Sequence, residues 1–257
     1  MEIKFTNVKF MYDNFGVKKE LFNDLTFTLQ SNKINTFIGP NGSGKTTILK
    51  LIKSLELPDS GYIKIGKYIV GKDSTIDTIT DYKFRIGMVF QNSSDQFICD
   101  NVREELELGI KLYHYDLNQI DKRITGALQM VGLSKSYLDK NFSSLSKGEK
   151  KLIAIASILV FNPKVILLDE PTNSLDYEYK NKLIKLLRML KTKYNKTIVI
   201  SSHDMDFVLK VSDNVYALNN GKIVLSGDKY DVLSNSEVLK KIGLKSPIII
   251  EFSNRVY

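Results

Sequence analysis

A short glycine-rich segment carries the most informative chemistry in this sequence. Residues 39–46 read G-P-N-G-S-G-K-T and match the pattern G-x-x-x-x-G-K-[ST] at every fixed position. A buried strand is predicted over residues 33–38 and an amphipathic helix over 46–57, so the segment leads from a strand into a helix N-terminus. Glycines let the backbone N–H groups turn inward, and a helix N-terminus attracts anions. The pattern predicts a site for the phosphates of a nucleoside triphosphate.

Individual roles follow from the residue types in this loop. Lys45 is predicted to contact the β and γ phosphates, and the hydroxyl of Thr46 is predicted to bind Mg²⁺. The alternative is a glycine-rich turn that matches by chance, which the strand and helix on either side disfavour. The predicted nucleotide-binding residues of the loop are Gly39, Asn41, Gly42, Ser43, Gly44, Lys45, Thr46 and Thr47.

Two adjacent carboxylates follow a second buried strand. Four apolar residues at 165–168 precede Asp169 and Glu170. Consecutive residues at a strand end point in different directions, so Asp169 is predicted to reach the Mg²⁺ held by Thr46. Glu170 is then predicted to face the γ phosphate and a water molecule as general base. The alternative, an acidic turn without chemistry, is weak in a chain that already has a phosphate loop.

Composition limits the class of protein. The chain has 257 residues, 43% of them hydrophobic, and 37 basic against 29 acidic residues give a net charge of +8. This balance suits an anionic ligand, a membrane surface or nucleic acid. Basic residues at 182–191 share a helix with an apolar face, so a solvated surface is preferred and nucleic acid is not predicted as a partner.

Location is predicted from cysteine content and the apolar runs. Cys99 is the only cysteine, which excludes an internal disulfide and favours a reducing compartment. Residues 1–4 do not resemble a secretory leader, and the longest apolar run, 152–161, is shorter than the ~20 residues that span a bilayer. We therefore expect a cytoplasmic protein whose membrane role needs a partner.

The predicted elements describe an α/β chain. Alternating apolar residues predict strands at 2–12 and 24–30, separated by a polar loop at 13–20, and two short strands at 62–70 complete an antiparallel layer. Further strands are predicted at 85–90, 165–168, 197–201, 214–218 and 222–225, with helices at 102–112, 117–131, 148–161, 178–193 and 204–212. The predicted division is a core of residues 1–90 and 162–226, a helical subdomain of 91–161 and a helical tail of 227–257.

Several motifs occur together in the order seen in ATP-binding cassette (ABC) ATPases. They are the phosphate loop, Gln91, L-S-K-G-E at 145–149, Asp169-Glu170, S-L-D at 174–176 and His203. The resemblance covers nearly the whole chain. It implies a P-loop NTPase (RecA-like) core with an antiparallel β layer and an inserted α-helical signature subdomain. It also implies a dimer in which two such chains enclose ATP.

The resemblance implies roles for residues outside the phosphate loop. Ser146 and Gly148 would meet the γ phosphate of the nucleotide bound by the partner protomer, Asp176 would also bind nucleotide, and His203 would contact the γ phosphate. Gln91 would reach Mg²⁺ and link the nucleotide to the helical subdomain, and Tyr12 would stack on adenine. The alternatives are a structural histidine at a strand end, an ordinary turn glutamine and a buried edge tyrosine.

Residues 89–97 read V-F-Q-N-S-S-D-Q-F. This segment is similar to the corresponding segment in the ATPases of energy-coupling-factor importers, which take up vitamins and transition-metal ions. Ser93 stands where that family usually has proline. The resemblance implies integral membrane partners at the cytoplasmic face, and we expect a partner helix to dock beside residues 91–97, against Phe97, Ile98 and Val102. The alternative is that these apolar residues only pack internally.

Other assignments stay open from sequence. Lys147, inside the signature, favours a heterodimer over a homodimer without excluding either. Another ABC importer or an exporter is an alternative, as is a non-transport ABC ATPase. A chromosome-type ABC protein would need a long coiled-coil insertion before residues 145–149, and this chain lacks one. A translation-associated ABC protein would need a second cassette, and this chain has a single cassette. A nucleotide-binding module without hydrolysis is disfavoured because Glu170 and His203 are both present.

Overall fold

The computed structural model describes residues 1–14, 16–92, 96–112 and 119–250. Its strands are β1 (Ile3–Asn14), β2 (Val17–Leu29), β3 (Ile34–Ile38), β4 (Ser60–Ile65), β5 (Tyr68–Gly71), β6 (Ile86–Val89), β7 (Val165–Asp169), β8 (Thr197–Ser201), β9 (Asn214–Asn219) and β10 (Lys222–Asp228). Its α-helices are α1 (Lys45–Lys53), α2 (Ile76–Lys83), α3 (Val102–Leu112), α4 (Ile120–Met130), α5 (Lys147–Leu159), α6 (Tyr177–Thr192), α7 (Met205–Val211), α8 (Lys229–Ser234) and α9 (Ser236–Lys241).

A mostly parallel sheet lies at the centre of the protein. Its strand order is β10-β9-β3-β8-β7-β6, and only the β9–β10 pair is antiparallel. Every residue of β3, β6, β7 and β8 is buried, because helices cover the sheet on both faces. The phosphate loop, Asp169-Glu170 and His203 follow the carboxyl ends of β3, β7 and β8. Ligands bind at this edge of open α/β sheets, so the strands bring the predicted residues together.

A second sheet, in the order β2-β1-β4-β5, is fully antiparallel and confirms the predicted β layer. The predicted polar loop at 13–20 is wrong, because β1 and β2 continue through it as a hairpin that pairs Asp13 with Lys18. Residues 17–20 of β2 are exposed, so cross-strand backbone bonds suffice there and no apolar alternation marks the strand.

The helices that follow β6 pack in one apolar cluster together with residues of the central sheet, among them Val89 and Ile166. Helices α3, α4, α5 and α6 contribute Leu106, Leu128, Ile155 and Leu187, all of which are buried. The helices differ from the prediction in two places. The helix predicted over 46–57 ends at Lys53, because Ser54 adopts a left-handed backbone with φ of 54°. Helix α2 was not predicted, since its threonines are poor helix formers.

The carboxyl-terminal helices α8 and α9 pack on the central sheet. Val232, Leu233 and Leu239 are fully buried with Ile38 and Ala217 of β3 and β9. Strand β10 runs to Asp228, two residues beyond the predicted core boundary at 226. The division into a core, a helical subdomain over 91–161 and a tail over 227–257 stays a prediction.

The apolar residues near Gln91 have different environments. Phe97 is half-buried and stacks on Phe142 with ring centroids 3.9 Å apart. Val102 is fully buried, so it packs internally as the alternative predicted. Ile98 alone of the three is exposed, at 80%. Residues 93–95, which include the subfamily position Ser93, lie outside the described residues. No helix in the described part of the chain is long and apolar enough to cross a membrane.

Candidate active site

The phosphate loop joins β3 to α1 as predicted. Gly44 has φ of 111°, and a Cβ there would lie 2.7 Å from the Phe22 ring. A Cβ at Gly39 would lie 2.2 Å from the carbonyl oxygen of Leu218. Only glycine fits these positions, because both the backbone angle at Gly44 and the close neighbours exclude a side chain. The loop is therefore fixed by packing against the antiparallel layer and β9.

Lys45 lies buried beneath the loop. Its Nζ donates to the carbonyl oxygens of Gly39 at 2.7 Å and Pro40 at 3.0 Å. Burial lowers the pKa of Lys45, and the carboxylates of Glu170 and Asp169 oppose that shift. A cation bonded to neutral carbonyls keeps its charge available to an anion at the loop.

The buried Ser43 hydroxyl marks the loop as a ligand site. Ser43 is 2% exposed, and its Oγ has no hydrogen-bond partner within the residues that the structure describes. Buried polar atoms are almost always bonded in native proteins, so an unpaired donor here is available to a ligand. Together with Lys45 and the glycine backbone it fits the phosphates of a nucleotide.

Thr46 and Asp169 meet across the loop. Thr46 Oγ1 donates to Asp169 at 3.1 Å from Oδ1 and 3.0 Å from Oδ2, and Ser201 Oγ also donates to Asp169 Oδ1. Asp169 and Ser201 are partners in the register of β7 and β8. A hydroxyl and a carboxylate are the oxygen ligands that Mg²⁺ prefers, so this pair fits the predicted metal site.

Glu170 has a backbone conformation that is rare for its residue type. Its φ is 43°, and its N–H donates to the Ser201 carbonyl at 3.1 Å and to Ser201 Oγ at 3.0 Å. Its carboxylate Oε2 lies 2.8 Å from His203 Nδ1 and accepts from the His203 N–H at 3.3 Å. Such strained residues cluster at functional sites. The direct Glu170–His203 contact was not predicted from sequence.

A cavity of about 540 Å³ collects most of the predicted residues. Three more lining residues, Lys19, Leu21 and Asn173, were missed by sequence reasoning. Lys19 and Leu21 alternate along β2, a signal that the polar-loop prediction concealed. Predicted residues that line the cavity are Tyr12, Asn41, Gly42, Gly44, Lys45, Thr46, Thr47, Gln91, Glu170 and His203.

Tyr12 lies at the rim of this cavity at the edge of the antiparallel layer. Its hydroxyl is 2.8 Å from Thr47 Oγ1, and its ring meets Phe10 edge-on with centroids 4.9 Å apart. The ring is half-buried, so part of its surface is open to a ligand. Stacking on adenine stays a prediction.

Ser146, Gly148 and Asp176 lie outside the cavity of this chain, at helix N-termini. Ser146 caps α5 in a capping box with Glu149, and Asp176 caps α6 by accepting from Tyr179 N at 2.9 Å. A Cβ at Gly148 would lie 2.6 Å from the Tyr179 ring, so the two helix starts pack together. Glu149 also accepts from Tyr137 OH at 2.6 Å, so it stabilises the segment L-S-K-G-E at 145–149 from both sides. A role at a partner's nucleotide stays a prediction.

The fold and the cavity together define a P-loop nucleotide-binding protein. The ABC transporter family model matches residues 22–173. A putative ABC transporter ATP-binding protein of Clostridium acetobutylicum is 36% identical over 96% of this chain and 86% of its own length. An energy-coupling factor transporter ATP-binding protein of Oenococcus oeni is 33% identical over 100% of this chain and 89% of its own length.

Solved structures agree with these relatives. The structure of cbiO1 from Clostridium perfringens, part of the ABC transporter complex cbiONQ, has a TM-score of 0.82 at 29% identity and covers 98% of each chain. A dimeric ATP-binding cassette in a post-hydrolysis state with ADP and phosphate has a TM-score of 0.79 at 27% identity, over 88% of this chain and 98% of its own.

The chain belongs to the ABC transporter family. It has the P-loop NTPase fold of the ABC ATPases, binds ATP and hydrolyses it to power a transporter, as the sequence predicted.

Proposed function

We propose that this chain hydrolyses ATP in the cavity with Glu170 as general base. The observation that carries the proposal is the Glu170 carboxylate, oriented by His203 and by a strained backbone, in the cavity that also contains Lys45 and Thr46. Thr46 and Asp169 would hold Mg²⁺, and Gln91, which also lines the cavity, would be a further ligand. The bound ion would neutralise charge on the phosphates.

Each side chain has a defined task in this reaction. Lys45 and the loop N–H groups bind the phosphates and fix their orientation. Glu170 accepts a proton from water as the water oxygen attacks the γ phosphorus, and the bond to ADP breaks to release ADP and phosphate. His203 keeps the carboxylate aimed at that water and reaches the γ phosphate with its exposed ring edge. Glu170 then returns the proton to solvent.

We further propose that two such chains enclose ATP between them. Ser146, Gly148 and Asp176 would contact the nucleotide of the facing protomer, which a helix N-terminus suits. The dimeric cassettes among the solved relatives support this arrangement. The partner is a second ABC ATPase, identical or related, and the exposed cation Lys147 favours a related one.

The transporter is proposed to be an importer of the energy-coupling-factor type, for vitamins or transition-metal ions, with this chain peripheral at the cytoplasmic face. The names of the relatives support the class. An apolar groove of about 360 Å³, which reaches Phe90 directly before Gln91 in the chain, supports a docking site for a helix of the membrane subunits. Leu55 and Phe90 line the groove and are 47% and 36% exposed, whereas Phe97 lies outside it and stacks on Phe142.

Charged substitutions locate the docking site. Leu55→Glu is expected to abolish copurification with membrane subunits and transport, because it places a carboxylate in the apolar groove. Basal ATPase activity of the purified chain should persist, since Leu55 lies outside the nucleotide cavity. Affinity purification from membranes, with identification of bound subunits by mass spectrometry, measures the first effect.

Two exposed isoleucines provide the comparison. Ile69→Glu on β5 is the matched control, because Ile69 is 56% exposed and lies away from the groove. Ile98→Glu tests the position predicted from sequence. Loss of the membrane partners in Ile98→Glu but not in Leu55→Glu would move the docking site to the 91–98 segment, and loss in neither would reject both positions.

Tyr12 gives a test of base recognition. Tyr12→Ala is expected to weaken ATP binding by about 5- to 150-fold, corresponding to the roughly 1–3 kcal/mol of one base-stacking contact. Tyr12→Phe should retain most of the affinity because it keeps the ring and loses only the bond to Thr47. Titration with a fluorescent ATP analogue compares the variants, and equal loss in both would assign the effect to the hydroxyl.

A further inference from the structure

Helix α5, which begins after Ser146, carries a lysine on its buried side. Lys151 is 3% exposed, and its ammonium donates to the carbonyl oxygens of Gln91 at 2.7 Å and Phe90 at 3.2 Å. These two carbonyls directly follow β6. Burial lowers the pKa of Lys151 to about 8, and the carboxylate of Asp169 opposes the shift. Burying a cation is costly unless it is well bonded, so this contact is specific rather than incidental.

The contact joins two parts of the protein that are far apart in sequence. Gln91 lines the ATP cavity, and its own side chain is exposed there. Its backbone carbonyl is the group that Lys151 binds, 60 residues away. The helix that starts at the signature loop therefore contacts the cavity through the main chain of Gln91.

We infer that Lys151 is a positioning residue that fixes the Phe90 and Gln91 carbonyls against α5 and so determines where the Gln91 side chain enters the ATP cavity. The inference rests on the proposed function, in which Gln91 acts on the bound nucleotide and metal. Lys151 touches neither, so its effect passes through Gln91. Any movement of α5 relative to β6 would then shift Gln91 directly.

The test replaces Lys151 by methionine, which keeps the length of the side chain and removes its donors. Lys151→Met should lower kcat about 10- to 100-fold, since small displacements of positioned groups cost that much. The Kd for a non-hydrolysable ATP analogue should stay unchanged, because the phosphate loop is untouched. Lys151→Arg, which restores donors and charge, should recover most of the rate.

A double-mutant cycle identifies the residue through which Lys151 acts. Lys151→Met combined with Gln91→Ala should be no slower than Gln91→Ala alone, because both changes remove one function. If the two substitutions lower kcat independently, so that their effects multiply in the double variant, the inference is overturned. A higher Kd for the ATP analogue in Lys151→Met would also overturn it. If Lys151→Met does not fold, Lys151→Gln, which keeps two amide donors, is used in the same cycle.

A matched control separates positioning from loss of stability. Lys196 is also buried, at 4% exposure, and its ammonium donates to the carbonyl oxygen of Asn162. It directly precedes the amino end of β8, the end opposite to the ATP cavity. Lys196→Met should leave kcat unaltered at a temperature where the variant is folded, and an equal loss would overturn the inference.

Hydrogen exchange of residues 86–92 gives a readout that does not depend on catalysis. Exchange in this segment should accelerate in Lys151→Met and not in Lys196→Met. If Gln91→Ala keeps the wild-type kcat, the role proposed for Gln91 fails, while accelerated exchange would still support anchoring by Lys151. Unchanged exchange in Lys151→Met would overturn the inference even if Gln91 proves essential.

Discussion

Replacing Glu170 by glutamine is expected to lower kcat for ATP hydrolysis by about 10²–10⁴-fold, the usual cost of removing a general base. The amide matches the carboxylate in shape but cannot accept the proton from water. ATP binding should persist, because Lys45, Thr46 and the loop glycines are unchanged. Steady-state ATPase assays measure the rate, and size-exclusion chromatography with ATP should reveal accumulated dimers.

The neighbouring helix offers a control for this substitution. Glu178 is an exposed carboxylate on α6 that pairs only with Lys182 within the described part of the chain, and Glu178→Gln should leave the rate unchanged. Near-normal turnover in Glu170→Gln would assign the base to another group. A parallel loss of ATP affinity would instead show that Glu170 organises the binding site.

Replacing Lys45 by alanine should weaken ATP binding itself. A hydrogen bond to a charged group contributes about 1.5–3 kcal/mol, so the Kd for ATP should rise by about 10- to 150-fold. Removal of the ammonium also frees the Gly39 and Pro40 carbonyls that it holds. Equilibrium binding of a labelled ATP analogue measures the loss.

Lys50→Ala on the same helix is the control, because Lys50 lies outside the cavity lining. Its affinity for ATP should equal that of the wild type. Unchanged affinity in Lys45→Ala with a reduced kcat would mean that Lys45 acts only in the transition state, which would contradict its role in binding the ground-state nucleotide.

Sequence predicted the groups whose positions are fixed by nearby residues. The phosphate loop, Asp169 and Glu170 each sit at the end of a buried apolar strand, so local patterns place them at the carboxyl edge of a parallel sheet. The order of the motifs then identified the family. His203 lies at the same edge because it follows the carboxyl end of the buried strand β8.

Contacts between distant residues could not be read from the chain. The Glu170–His203 bond and the Lys151–Gln91 bond depend on how strands and helices pack, and no local spacing encodes them. Lys19 was missed because an exposed hairpin lacks apolar alternation. The stacking of Phe97 on Phe142 was not predicted either, because the two residues are remote in sequence.

ATP-driven transport by the complete complex tests most directly whether this chain powers a membrane importer. The complex is isolated from membranes of the source cells with this chain as bait and reconstituted in liposomes with ATP at the cytoplasmic side. We expect solute uptake that requires ATP and is lost when the bait carries Glu170→Gln. Uptake that continues at the wild-type rate with Glu170→Gln, or a bait that brings no integral membrane protein with it, would contradict this function.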